Sequence, residues 1–109
     1  MRENMFTEKD WKLFRSKIGE WQENYMDKLN KSYIELLQGD GNPSEKFREL
    51  EKRIRADKKK TGVRAEISRS ELICNILSLL HEGAISMDDL EEFSDELKET
   101  VRYITEGTL

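Results

Sequence analysis

Few residues in this chain could do chemistry, and Cys74 and His81, the only ones of their types, come first. A nucleophilic thiol needs a base within hydrogen-bond reach. Seven residues on a helix is two turns, about 10 Å of rise, too far for the pair to share a proton. Cys74 lies in the most apolar stretch of the sequence, where a cysteine is expected as a small buried hydrophobe rather than a nucleophile. His81 falls in the last turn of the same stretch, where a partial positive charge suits the helix dipole.

The carboxylates are the next candidates. Asp88, Glu91, Glu92, Asp95 and Glu99 cluster toward the C-terminus, but a di-metal site in a helical bundle also uses Glu-x-x-His pairs, and Ser78 stands three residues before the lone histidine. Asp40-Gly41-Asn42 lacks the spaced oxygen ligands and distal glutamate of a calcium loop. No glycine-rich phosphate loop, nucleophile elbow or metal-ligand spacing occurs. The expectation is therefore no enzyme, no metal and no cofactor, with the acids forming a solvated face.

Binding surfaces offer more. Arg48, Lys52, Arg55 and Lys59 fall at helical spacing on one stripe, extended by Lys58-Lys59-Lys60 and Arg64. A cationic row on a rigid helix is how sequence-independent affinity for phosphates arises. The plainer reading is a solvated face or an electrostatic partner for the acidic C-terminal helix. Glu49 to Arg53 and Glu51 to Arg55 are favourable i, i+4 pairs that already neutralise part of the row, and no aromatic is interleaved for base stacking. A helix-turn-helix over residues 69–105 fails on charge, because Met87-Asp88-Asp89-Leu90-Glu91-Glu92 would carry four carboxylates into the groove of a polyanion. Trp11, Trp21, Tyr25 and Tyr33 form an aromatic stripe that reads first as core and second as a partner surface, since Trp and Tyr are enriched at binding hot spots.

The elements that position these residues announce themselves through a repeated pattern: apolar, Ser or Thr, two residues, acid, apolar. It occurs at Phe6–Trp11, Ile67–Leu72 and Ile85–Leu90. In each, the hydroxyl can cap a first-turn N–H while the acid reaches back, and the flanking apolar residues can close as a staple. The middle copy, with Glu71, is the full capping box; the outer two carry Asp. Helix 1 is expected over about 8–38, with Trp11, Phe14, Ile18, Trp21, Tyr25, Leu29, Tyr33 and Leu37 at the helical period and Gly19 as its weak point. Leu13, Met26, Ile34 and Leu36 lie off that stripe and broaden its apolar surface.

Gly39-Asp40-Gly41 ends helix 1, and Asn42, Pro43 and Glu45 open helix 2, about 43–60, as cap, first residue and box. Helix 3, about 69–82, is apolar nearly all round, with a polar strip only at Glu71, Asn75, Ser78 and Glu82, as a central helix would be. Gly83 caps it, and helix 4 follows over about 87–105. No strand pattern is visible. An all-α, single four-helix domain is expected, with residues 61–67 a connector of open conformation. The expected core is Trp11, Phe14, Ile18, Trp21, Phe47, Leu50, Ile54, Leu72, Ile73, Ile76, Leu77, Leu80, Leu90, Phe93, Leu97 and Val101.

Composition bounds the class. Charged residues reach 39% against 36% hydrophobic, which favours a thin helical core beneath a charged surface. The net charge of −4 is unevenly spread: residues 43–67 hold nine basic and five acidic side chains, residues 68–109 three basic and ten acidic. One cysteine allows no internal disulfide, no apolar stretch resembles a secretory signal, and no run approaches a membrane span, so a cytoplasmic protein without membrane attachment is expected.

Phe6-Thr7-Glu8-Lys9-Asp10-Trp11, Tyr33-Ile34-Glu35-Leu36-Leu37, Leu50-Glu51-Lys52-Arg53-Ile54 and Asp88-Asp89-Leu90-Glu91-Glu92-Phe93-Ser94 together resemble a family of short bacterial proteins of unknown function, some automatically labelled "multidrug transporter". These are capping and helix-surface segments, so the resemblance implies no activity for any residue here. The transporter label finds no support, because no segment can span a bilayer.

The leading functional expectation is a non-catalytic protein-interaction module or small regulatory adaptor; the alternative is a weak nucleic-acid binder using the stripe on helix 2. A length mismatch adds an expectation about assembly. A continuous helix 1 of about 46 Å exceeds the roughly 34 Å diameter of a compact domain this size. It must bend, most plausibly at Gly19, overhang, or be flanked end to end by other helices. An overhang would expose apolar surface and favour a homodimer through helix 1. A monomer with helix 1 covered throughout is the other outcome.

Overall fold

In a computed structural model of the chain, residues 5–107 are described. They form four α-helices, α1 (Glu8–Gln38), α2 (Pro43–Asp57), α3 (Leu72–Glu82) and α4 (Asp95–Gly107), with 3-10 turns at Arg69–Glu71 and Met87–Leu90. No strand occurs among the described residues, and none of their helices is long and apolar enough to cross a membrane.

The start of α1 is set by the reciprocal cap its sequence encodes. The Asp10 N–H donates to Thr7 Oγ1 at 3.1 Å, and the Thr7 N–H donates to Asp10 Oδ2 at 2.9 Å. Asp10 has a second task that no local pattern shows. It is 2% exposed and accepts the Ser94 N–H at 2.8 Å and the Ser94 hydroxyl at 2.5 Å. One carboxylate thus joins the first turn of α1 to the chain 84 residues later.

That bond explains why helix 4 is not continuous over 87–105. Ser86 does open a turn, with Asp89 Oδ2 accepting the Ser86 N–H at 2.8 Å, but the turn is 3-10 and ends at Leu90. The chain leaves the helix through Phe93, and Ser94, held by Asp10, restarts it by accepting the Leu97 N–H at 3.1 Å. The break lets Leu90 and Phe93 point into the same core as Leu97 and Val101. A local signal for it exists in Ser94-Asp95-Glu96, a cap followed by first-turn acids.

The middle capping box, the best on paper, does not form. Ser68 makes no side-chain cap bond among the described residues; the Glu71 N–H is taken at 3.1 Å by the Ser68 carbonyl in the 3-10 turn. Arg69 is held elsewhere, with its guanidinium on both Glu8 oxygens at 2.7 and 3.1 Å and over the Trp11 ring. The α-helix therefore begins at Leu72 rather than at 69. Asn42 likewise caps α2 without a side-chain bond, so the box expected with Glu45 is absent, and α2 stops at Asp57, with turns carrying the chain on through Arg64.

The core is built by the first half of α1 against α3, α4 and the segments between them. Trp11, Phe14, Ile18 and Trp21 meet Leu72, Ile73, Ile76, Leu79, Ile85, Leu90, Phe93, Leu97 and Val101. The rings pack as a chain: Trp11 on Phe14 at 6.4 Å, Phe14 edge-on to Trp21 at 6.1 Å, Trp21 against Phe93 at 6.2 Å. Three expected core members fail. Phe47 and Ile54 are exposed, and Leu50 is only half-buried. Leu77 and Leu80 pack against the core from its margin, while Leu79 and Ile85, not expected there, are buried.

Helix α3 also turns differently from expectation. Asn75, on its supposed polar strip, is buried and donates to the Glu66 carbonyl at 2.9 Å. Glu82 faces the connector, accepting the Thr61 and Gly62 N–H groups at 2.8 and 2.9 Å. The solvent side carries Cys74 and His81 instead, so Cys74 is not the buried hydrophobe its surroundings in sequence suggest. Gly83 closes α3 in the left-handed conformation at φ 79°, as its position implies.

Asp10 makes a testable contribution to stability. Burial alone raises its pKa, and the bonds from Ser94 and Thr7 together outweigh this and hold the carboxyl below its ordinary 3.8. Its folded pKa is thus depressed, so its contribution is complete above the unfolded pKa and is lost as pH falls through the folded one. Urea unfolding at neutral pH should show Asp10→Ala destabilised by about 2–4 kcal/mol. Between about pH 5 and 2, Asp10→Asn should lose less stability than the parent; an equal loss would mean the carboxylate is not held this way.

Candidate functional site

Helix α1 runs unbroken through Gly19, which is exposed with open space where a Cβ would stand, so the bend expected there does not occur. Its 31 residues span about 46 Å. The last buried residue along it is Tyr25. Beyond that point Lys28 Nζ still donates to the Gly83 carbonyl at 3.3 Å, and from there α2 runs beside α1, antiparallel, so that the two form an arm. The molecule is accordingly elongated, 55 × 31 × 22 Å, with a radius of gyration of 16.7 Å where a compact chain of this length has about 13 Å.

The base of the arm is tied to the body by polar contacts. Glu82 holds Thr61 and Gly62 as above, and Gln22 Nε2 donates to the Thr61 carbonyl at 3.0 Å. Gly62 lies so close to the Tyr25 ring that a Cβ there would overlap it. Within the arm, the Tyr33 hydroxyl donates to Asp57 at 2.5 Å, and Lys60 pairs with the same carboxylate at 3.2 Å. Burial first, then this bond to Asp57, pushes the Tyr33 pKa up to about 12. Lys46 Nζ closes the far end by donating to the Leu37 carbonyl at 3.1 Å.

The arm has two unlike faces. None of the α2 residues, all of them described, is buried. Phe47, Leu50 and Ile54 recur along α2 at helical spacing, and Leu37, Ile34 and Met26 do so along α1. Exposure is 74% at Phe47, 51% at Ile34, 46% at Leu37 and 38% at Ile54. A cleft of about 270 Å³ between the helices, lined by Met26, Leu29, Asn30, Tyr33, Ile54, Asp57, Lys58 and Val63, brings Met26 of the α1 row beside Ile54 of the α2 row. That volume is below the usual 300–1,000 Å³ of small-molecule pockets, and the cleft is open along its length. The opposite face presents Glu49 and Arg53, paired at 3.1 Å. Scattered apolar residues on a surface mean little, but a contiguous exposed row on one face of a helical pair marks a contact surface.

The residues singled out by type fall into three places. Trp11, Trp21 and Tyr25 are buried, so the aromatic stripe is body core and not a partner surface; Tyr33, half-buried, belongs to the arm. Arg48, Lys52, Arg55 and Lys59 are exposed along the outer side of α2, with Arg55 paired to Glu51. Asp88, Glu91, Glu92, Asp95 and Glu99 are exposed, Glu92 meeting Lys17 at 3.0 Å. Among the described residues no group of three or more His, Cys, Asp or Glu is placed to hold a metal ion. Cys74 and His81 are not brought together with each other or with those acids by any contact among the described residues. The residues that type-based reasoning missed are Phe47 and Ile54, whose helical spacing reads equally well as core or contact face.

No family model matches the chain, and neither a curated protein nor a solved structure is similar to it.

The division into body and arm has a thermodynamic signature. Phe14→Ala, in the core, should destabilise by about 3–5 kcal/mol, whereas Phe47→Ser should change stability by less than about 0.5 kcal/mol in dilute solution. Thermal or urea unfolding of the two variants distinguishes them. A large loss at Phe47 would show that its ring is buried within the monomer after all.

Proposed function

We propose that this chain is a non-catalytic protein-interaction module, a small adaptor acting in the cytoplasm, whose docking surface is the apolar face of the arm formed by α2 and the second half of α1. The observation that carries this reading is that α2 buries none of its own residues while Phe47 and Ile54 on it, and Ile34 and Leu37 on the accompanying half of α1, are exposed. Covering one large apolar side chain stabilises a complex by about 1.5–3 kcal/mol before the costs of association. An arm held by polar contacts at its base keeps that surface presented. The reading agrees with the resemblance to short uncharacterised bacterial proteins, which likewise carries no activity to any residue here. Affinity capture from the native host tests it: proteins retained by the parent and by Tyr103→Asp, an exposed site on α4, should be lost with Phe47→Asp. Identical retention by parent and Phe47→Asp would remove the arm from the account.

A second reading has one specific observation behind it: Arg48, Lys52 and Lys59 stand exposed on the stripe that a nucleic-acid backbone would contact. If it holds, affinity for duplex DNA or structured RNA falls by about tenfold or more between 50 and 200 mM salt and disappears on charge reversal of Arg48, Lys52, Arg55 and Lys59. No binding at the lower salt removes this alternative.

A further inference from the structure

We propose that the occupant of the arm's apolar face is the arm of a second copy of this chain, the two hairpins closing into a four-helix bundle. The inference rests on the arm being the docking surface and adds the identity of what covers it.

The argument begins with charge. The apolar seam runs down the middle of the face, and the two outer edges carry opposite signs. On α1 the edge near the arm's base presents Glu23 and Asp27, both exposed, with Lys31 paired to Asp27. On α2 the edge near that height presents Arg55 and Lys59, with Glu51 paired to Arg55. A face that is acidic on one side and basic on the other complements itself under a two-fold rotation about the long axis of the arm. That rotation lays α2 of each copy over α1 of the other and sets the basic edge on the acidic one. A two-fold axis across the arm would instead lay the basic stripe of α2, Arg48 to Lys59, on the same stripe of the second copy, at a cost. The lengthwise pairing keeps every neighbouring helix in the bundle antiparallel, the ordinary arrangement of such bundles.

The area fits weak association. Two helices, each about 10 Å across, over the 15 residues of α2 give a footprint of about 450 Å² in projection. Two such faces fall in the range of small, transient interfaces rather than obligate ones. The bundle therefore forms reversibly and leaves each body folded by its own core. The lengthwise rotation keeps heights along the arm, so Phe47, the most exposed apolar side chain among those on the arm, meets Ile34 and Leu37 of the second copy near the tip.

Sedimentation equilibrium from about 1 to 300 μM reads the mass, a range chosen for association at the weak end of specific interfaces. The parent should rise with concentration from its 12.9 kDa monomer toward twice that value. Ile34→Asp with Phe47→Asp should hold it at the monomer, with an unchanged far-ultraviolet circular dichroism spectrum showing that the helices remain. Glu23→Lys with Asp27→Lys in one chain, and Arg55→Glu with Lys59→Glu in another, should each weaken self-association about tenfold or more through like charges facing across the rim. An equimolar mixture of those two variants should recover dimer, because each basic edge then meets an acidic one. A parent that stays monomeric throughout, or a dimer untouched by the Ile34/Phe47 double variant, overturns the proposal. If the parent is monomeric but loses captured proteins on Phe47→Asp, self-pairing alone fails and the docking surface stands. If capture is also indifferent to Phe47, both fail.

Discussion

The buried carboxylate of Asp10 is the contact on which the rest of this structure depends. It caps α1 locally through Thr7 and grips Ser94 across most of the chain, so the beginning of the long helix and the beginning of the last one share an anchor. With α1 registered at that end, its rise of 1.5 Å per residue decides where everything else on it must lie. Trp11 to Tyr25 fall within reach of α3 and α4, and the remaining turns run past the body. A carboxylate is suited to this role because it can accept several hydrogen bonds at once, and here it takes three, from the Thr7 N–H, the Ser94 N–H and the Ser94 hydroxyl. Among the described residues no buried side-chain polar atom is left without a partner.

The projection of α1 has a structural price that α2 only half meets. Two antiparallel helices cannot enclose each other, so each keeps most of its circumference in solvent. The arm is stabilised by directional contacts at its ends: Glu82 on the Thr61–Gly62 backbone, Asp57 between Tyr33 and Lys60, and Lys46 on the end of α1. Such contacts fix an orientation without hiding apolar surface. They explain how a helix with no buried residue can still be well placed, and why its apolar row stays open to a partner. The close approach of Gly62 to Tyr25 shows the same economy of space, since the connector can pass the aromatic ring only where a side chain is missing.

For function, the consequence is a separation of duties along one helix. The N-terminal half of α1 belongs to a core rich in aromatic packing, and its C-terminal half belongs to a surface. Charge is biased along the chain, with an excess of basic residues over 43–67 and of acidic ones over 68–109. Surface pairs such as Arg69 with Glu8 and Lys17 with Glu92 are exposed and contribute little individually. Their value lies in register, holding the turn before α3 and the turn before α4 against α1.

The sequence by itself determined the kind of element and most of its punctuation. Helical period, the cap at Thr7, the glycines at 39–41 and the left-handed Gly83 are short-range matters, decided by bonds between residues a few positions apart, and they are legible for that reason. The candidate site was legible only in part. The basic residues of α2 could be placed on one stripe, while the length mismatch of α1 left a bend, an overhang and an end-to-end cover equally open. What only the tertiary structure decided is which apolar face has something opposite it. Trp21 and Phe47 carry the same helical signal, yet one is enclosed and the other is not, because α3 ends at the base of the arm, where Glu82 meets Thr61 and Gly62. The same reason separates Asn75, buried on a strip that looked polar, from Cys74, exposed on a helix that looked central. The break at Ser94 stands between the two, since Ser94-Asp95-Glu96 is a local cap signal while the carboxylate that holds Ser94 comes from a residue 84 positions away. Periodicity tells a residue's neighbours along its own helix; it carries no information about the distance to the next one.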